Sequence, residues 1–156
     1  MKEKVLISAC LIGENCRYDG TNKLQKELLK LAKYYDLIPI CPEVSGGLKT
    51  PRHPSEIKDG KVINQKGRDV TDQYHDGAYW ALSIIRLYHI RLAIMKEDSP
   101  SCGVHHIYDG SFTGKKIDGQ GITTRRLVEN RVKVINETEA LELLKSLEEK
   151  QNTSKN

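Results

Sequence analysis

The sequence predicts an α/β fold in which a mostly parallel sheet is flanked by helices on both faces. Three observations predict it. Short β-rich runs alternate with amphipathic helical segments, which is the pattern of right-handed βαβ units. The helical segments are long enough to cross back over a sheet. And 156 residues suffice to bury one core.

Taken in order, "KVLIS" (4–8) is the first strand, because no helix fits before the Gly-containing loop that follows. In 22–35, Leu24, Leu28, Leu31 and Ala32 recur at helical spacing with lysines opposite, and Asn22 stands where an N-cap belongs. "LIPIC" (37–41) is the second strand, although Pro39 leaves one ladder bond unmade. Residues 42–54 read as a Gly- and Pro-rich loop, and 56–67 as a small hairpin turning on Asp59-Gly60. A long helix fits 71–88, with Asp69 and Thr71 of "GRDVT" supplying acceptors at its start. "IRLAIMK" (90–96) is the third strand, followed by a glycine-rich stretch over 103–121 with a turn at Asp109-Gly110. A short helix at 123–130, a strand at 132–136 and an amphipathic helix from 137 complete a Rossmann-like three-layer domain over 1–148. Residues 149–156 are expected to fray.

Bulk composition narrows the function classes. Hydrophobic residues make up 38% and charged residues 29%, and no apolar run reaches the roughly 18 residues of a membrane span. No signal peptide is visible at the N-terminus, so the expectation is a cytoplasmic protein. A net charge of +4 is mild. The one dense basic stretch, 123–131, is a thin basis for RNA contact, and 6% aromatics offer no base-stacking platform. Direct nucleic-acid binding is not expected.

The four cysteines carry the chemistry. Ligands of open α/β sheets bind beyond the carboxyl ends of the strands. Cys10 lies two residues after the first strand, Cys41 ends the second, and Cys102 follows the third by a Ser-Pro-Ser turn. Each alone reads as a small buried hydrophobe; three at corresponding strand ends read as a shared site. Structural zinc calls for four ligands in close pairs, and no C-x-x-C is present. A Cys10–Cys16 redox pair lacks that motif too. An iron–sulfur cluster suits thiolates arriving from separate loops, and with three protein ligands it leaves one iron open.

The stretches "SACLIGENCRYDG" (8–20), "CPEVSGGLKTPRHPSEI" (41–57), "GRDVT" (67–71) and "KEDSPSCG" (96–103) resemble the thiouracil desulfidase family. The resemblance runs from about residue 4 to 136 and is to the short, single-domain form. It implies a non-redox desulfidase whose [4Fe-4S] cluster is held by Cys10, Cys41 and Cys102. The implied substrates are 2- or 4-thiouracil or 4-thiouridine monophosphate from tRNA turnover, converted to the uracil compound and hydrosulfide. It further implies Glu43 and Ser101 as the catalytic pair, and leaves Cys16 outside the ligand set. Arg17 and Arg52 lie in the cysteine loops and are candidates for a substrate phosphate, though each has acidic neighbours (Asp19, Glu43, Glu56) to pair with instead. His105 and His106 are assigned no role. The rival reading is a non-catalytic sensor or carrier that uses Cys16 as a fourth ligand.

Overall fold

The computed structural model describes residues 1–154. Strand β1 (Glu3–Ser8) runs into a 3₁₀ turn, Ala9–Ile12, and a second 3₁₀ segment, Lys26–Lys33, leads to β2 (Tyr35–Ile40). The short helix α1 (Pro42–Ser45) and the hairpin β3 (Ser55–Lys58)–β4 (Lys61–Asn64) precede the long helix α2 (Thr71–Tyr88). Then come β5 (Leu92–Ile94), a second hairpin β6 (His106–Tyr108)–β7 (Lys116–Asp118), α3 (Ile122–Glu129), β8 (Lys133–Ile135) and α4 (Glu137–Ser154).

Four strands form the central sheet in the order β2-β1-β5-β8, all parallel. Period-two alternation in β1 decides what covers each face. Leu6 joins Ala81, Leu82, Ile85 and Leu127 of α2 and α3 on one side. Val5 and Ile7 join Leu28, Leu31, Ala140 and Leu144 of the second 3₁₀ segment and α4 on the other. The result is the expected three layers. From β1 the chain steps to β2 on one side, then crosses to β5 on the other, so the topological switch point lies between β1 and β5. There the first and third cysteine loops emerge.

Several local expectations are revised. The stretch 22–35 is not an α-helix with Asn22 as cap: the helical part is 3₁₀, starts at Lys26, and buries only Leu28 and Leu31. Those two stand three apart, the spacing a 3₁₀ helix stacks on one line; Leu24 and Ala32 are exposed. The Asn22 side chain instead accepts from Leu24 N at 2.9 Å, closing an Asx-type turn. Pro39 is tolerated because β2 is an edge strand paired only with β1. Asp59 and Gly60 take positive φ (51° and 77°), as the tight hairpin requires. Helix α2 has the expected bounds, but Thr71 does not cap it. The Thr71 hydroxyl accepts from Val62 N at 2.9 Å and ties α2 to β4, while Asp69 accepts from Thr71 N at 2.9 Å. Residues 149–154 continue α4 rather than fraying, and 155–156 lie outside the described residues.

One close approach matters for the site. A Cβ on Gly46 would lie 1.9 Å from the Gln73 carbonyl oxygen, and one on Gly77 would lie 2.0 Å from that of Pro42. Backbone packs directly on backbone, which seats α1 on α2 with no side chain between.

Candidate metal centre and active site

Beyond the carboxyl ends of β1, β2 and β5 opens a cleft of about 510 Å³, lined by Cys10, Cys16, Cys41 and Cys102 together. No cysteine forms a disulfide. Cys10 sits in the 3₁₀ turn after β1, with its carbonyl accepting from Lys23 N at 2.9 Å. Cys41 is the residue at the start of α1, and its carbonyl accepts from Ser45 N at 2.9 Å.

The Ser-Pro-Ser-Cys-Gly turn holds Cys102 from two directions. Ser99 Oγ accepts from Ser101 N at 3.1 Å and Cys102 N at 3.0 Å. The start of α3 closes on the same turn: Thr123 N donates to the Ser101 carbonyl at 2.9 Å, and Thr124 Oγ1 to that of Cys102 at 2.8 Å. Glycine is needed after the cysteine, because a Cβ on Gly103 would lie 2.6 Å from the His106 carbonyl oxygen.

Burial pushes the Cys10 thiol up to about 11, reinforced by the nearby Cys41, and pushes Cys102 up to about 12 against hydrogen bonds from Ser101 and Ser8. Such thiols become thiolates at neutral pH only if a cation takes the charge. A hydrogen bond from Cys16 draws Cys41 down to about 7, and the Cys16 thiol of that pair is pushed up. Among the described residues, no three cysteine sulfurs lie within 4.8 Å of one another. Thiolates on a single tetrahedral zinc stand about 3.8 Å apart. The spacing argues against a lone tetrahedral ion, while the soft thiol donors are those that iron–sulfur ligation uses.

Beside the thiols, Ser101 Oγ donates to Glu43 Oε2 at 2.9 Å. Ser101 is buried and its Oγ also lies 3.5 Å from Cys102 Sγ. Arg52 Nε donates to Glu43 Oε1 at 3.2 Å, the two side chains being 9% and 14% exposed. The rest of the Arg52 fork reaches the Cys16 carbonyl at 2.8 Å, the Lys49 carbonyl at 3.2 Å and Thr50 Oγ1 at 3.0 Å. Four donor contacts to the protein hold this guanidinium in place. Arg17 differs: it lines the cleft, stacks 5.5 Å from the Tyr18 ring centroid, and its guanidinium has no hydrogen-bond partner among the described residues. Asp19 and Glu56 are engaged elsewhere, by Thr21 and by the backbone N–H groups of Gly110 and Phe112.

The structure adds residues the sequence did not single out. Glu97 Oε1 accepts from the backbone N–H of Val104, His105 and His106 at 2.7, 2.8 and 3.0 Å, and Oε2 from Asn136 Nδ2 at 2.8 Å. Burial opposes its charge, but these donors outweigh it and bring the carboxyl down to about 2. Glu97 is thus the anchor of the loop that carries Cys102. Lys96 lines the cleft and pairs with Glu137 at 2.9 Å. Ser8, at the end of β1, accepts from Lys96 N at 2.9 Å. His105 and His106 are exposed and pair with Glu139 and Asp118, and His106 also stands within 4.8 Å of the carboxylates of Glu97 and Asp98.

A parallel α/β sheet thus brings free cysteines from three strand ends and a Ser–Glu pair into one cleft. Residues 5–139 match the 2-thiouracil desulfurase family, and the chain belongs to it. It is 38% identical over 150 residues to the uncharacterized protein YbbK of Bacillus subtilis (strain 168), covering 90% of this chain and 99% of YbbK. Among solved structures it is similar to the [4Fe-4S]-dependent thiouracil desulfidase TudS, with a TM-score of 0.87 and 41% identity over 94% of this chain and 99% of that one.

Proposed function

We propose that this protein is a non-redox desulfidase of thiolated uracil compounds, acting on 2- or 4-thiouracil or on 4-thiouridine monophosphate. The observation that carries the reading is the placement of the Ser101–Glu43 pair in the same cleft as Cys10, Cys41 and Cys102. The family membership and the likeness to TudS support it.

On this reading Cys10, Cys41 and Cys102 hold a [4Fe-4S] cluster. Bound there, the cluster supplies an iron without a protein ligand, a Lewis acid that favours soft sulfur. The chain's own residues do the rest. Ser101 Oγ and Glu43 Oε2 lie at hydrogen-bond distance, so a proton leaving a water beside Ser101 passes through its hydroxyl to the carboxylate. Arg52 pairs with that carboxylate and fixes its direction. Glu43 then returns the proton to the product side. Water supplies the oxygen that ends on the ring carbon and sulfur leaves as hydrosulfide, so no electron is gained or lost overall. Arg17, with its free guanidinium on the cleft wall, is the residue for a substrate phosphate.

Four unpaired thiols suit a reducing compartment, and we place the protein in the cytoplasm. Among the described residues no helix is long and apolar enough to cross a membrane. Nucleic acid is not part of this reading: in the basic stretch 123–131, Thr123, Thr124 and Leu127 are buried and Arg125 pairs with Glu129 at 3.2 Å. The competing reading, a closed four-cysteine site without catalysis, draws on Cys16 lining the same cleft.

The test is anaerobic reconstitution followed by incubation with 2-thiouracil, 4-thiouracil and 4-thiouridine monophosphate. Stoichiometric hydrosulfide from the wild type, lost in Cys102→Ala, is the expected result. A wild type that releases no more sulfide than Cys102→Ala ends the proposal.

A further inference from the structure

Tyr74 lies in the first turns of α2, its ring packed in a third apolar cluster with Val62 and Val70. It is 1% exposed. Its hydroxyl is one of two buried side-chain polar atoms among the described residues that complete no hydrogen bond. Native proteins rarely leave a buried hydroxyl without a partner, because its lost water is not replaced. The polar neighbours of Tyr74 are Glu43 and Ser55, close enough to influence the phenol but neither in hydrogen-bonding geometry.

The backbone brings it there. The contacts of Gly46 with Gln73 and of Gly77 with Pro42 seat α1 on the turn of α2 that carries Tyr74. Glu43 belongs to α1 and so moves with that turn. A carboxylate has room for about four donors. Arg52 fills one place on Oε1 and Ser101 one on Oε2, so acceptor capacity remains for a further donor.

We propose that Tyr74 is a positioning residue for Glu43: its hydroxyl donates to the carboxyl group when that group parts from Ser101 to return the relayed proton to the product side. In the resting protein the donor stands idle behind Glu43. During turnover it replaces the departing Ser101 bond and keeps the carboxylate from swinging about the single remaining contact to Arg52. The role rests on the desulfidase reading, since it concerns the step in which Ser101 leaves Glu43.

Tyr74→Phe removes the oxygen and keeps the ring, so the apolar packing survives. An idle hydroxyl makes no bond to lose, and the variant is expected to melt at or above the wild-type temperature, with or without the cluster, and to take up the same iron. Its kcat is expected to fall by about 10- to 100-fold, the worth of a hydrogen bond to a charged group, with KM within about twofold. In a Glu43→Gln background the same change should cost nothing further. An unchanged kcat overturns the inference. So does a melting temperature several degrees lower or a loss of iron, either of which assigns the hydroxyl a structural bond. Absence of sulfide release from the wild type sinks the desulfidase reading instead, and the inference falls with it, whereas a defect confined to Tyr74→Phe cannot be mistaken for that failure.

Discussion

Ser101 Oγ and Glu43 Oε2 meet at 2.9 Å across 58 residues of chain. One comes from the loop after β5 and the other from α1, which follows β2, on either side of β1. Neither loop holds both members, so the pair exists only in the folded sheet. On the proposed reading the two act as a unit. Glu43→Gln should lower kcat by about 10²- to 10⁴-fold, and Ser101→Ala by a comparable factor. The double variant should be no slower than the worse single one. Sulfide-release kinetics on reconstituted protein decide it; losses that multiply would show two independent roles.

The two arginines of the cysteine loops should separate. Arg52 grips Glu43, the Cys16 carbonyl, Lys49 and Thr50, a set that a lysine cannot reproduce. Arg52→Lys should lower kcat by about tenfold or more, through Glu43, with KM little changed. Arg17→Ala should raise KM for 4-thiouridine monophosphate by about 10- to 100-fold and leave that for the free base alone. Equal effects on nucleotide and base would remove the phosphate role.

Acid should loosen the Cys102 loop through Glu97. Its folded value, about 2, lies below the ordinary 4.5. A depressed carboxyl stabilises the fold above its unfolded value, and this contribution fades as pH falls from about 4.5 toward 2. Glu97→Gln should flatten that part of the melting-temperature profile and lower stability at neutral pH. With its amide oxygen kept on the backbone N–H groups, its NH₂ takes the place of Oε2 and cannot accept from Asn136 Nδ2, and the charge that those donors favour is gone. A profile of unchanged slope between those pH values would show that other groups govern the acid transition.

How much of this was legible in the sequence depended on the range of the interactions. Helix α2 and the Asp59-Gly60 turn are written in local patterns and were readable to the residue. The segment 22–35 misled, because Leu24 and Ala32 completed a helical pattern whose buried face holds only Leu28 and Leu31. Helix α1 has four residues and strands β6 and β7 three each, too short for any period. The cysteine rim was legible because each thiol follows a β-rich run. What closes the rim was not: the Arg52 fork, the Glu97 anchor and the Tyr74 hydroxyl depend on residues far away in sequence. In a helical apolar pattern, a tyrosine reads as core.

On the proposed reading three thiols hold the cluster and one iron stays open, with Cys16 a bystander. Mössbauer spectroscopy of ⁵⁷Fe-reconstituted wild type and Cys16→Ala, each with and without 2-thiouracil, tests it most directly. One iron in four should be distinct from the rest and perturbed by thiouracil, in both proteins alike. Four equivalent irons in the wild type, with a distinct one appearing only in Cys16→Ala, would contradict it.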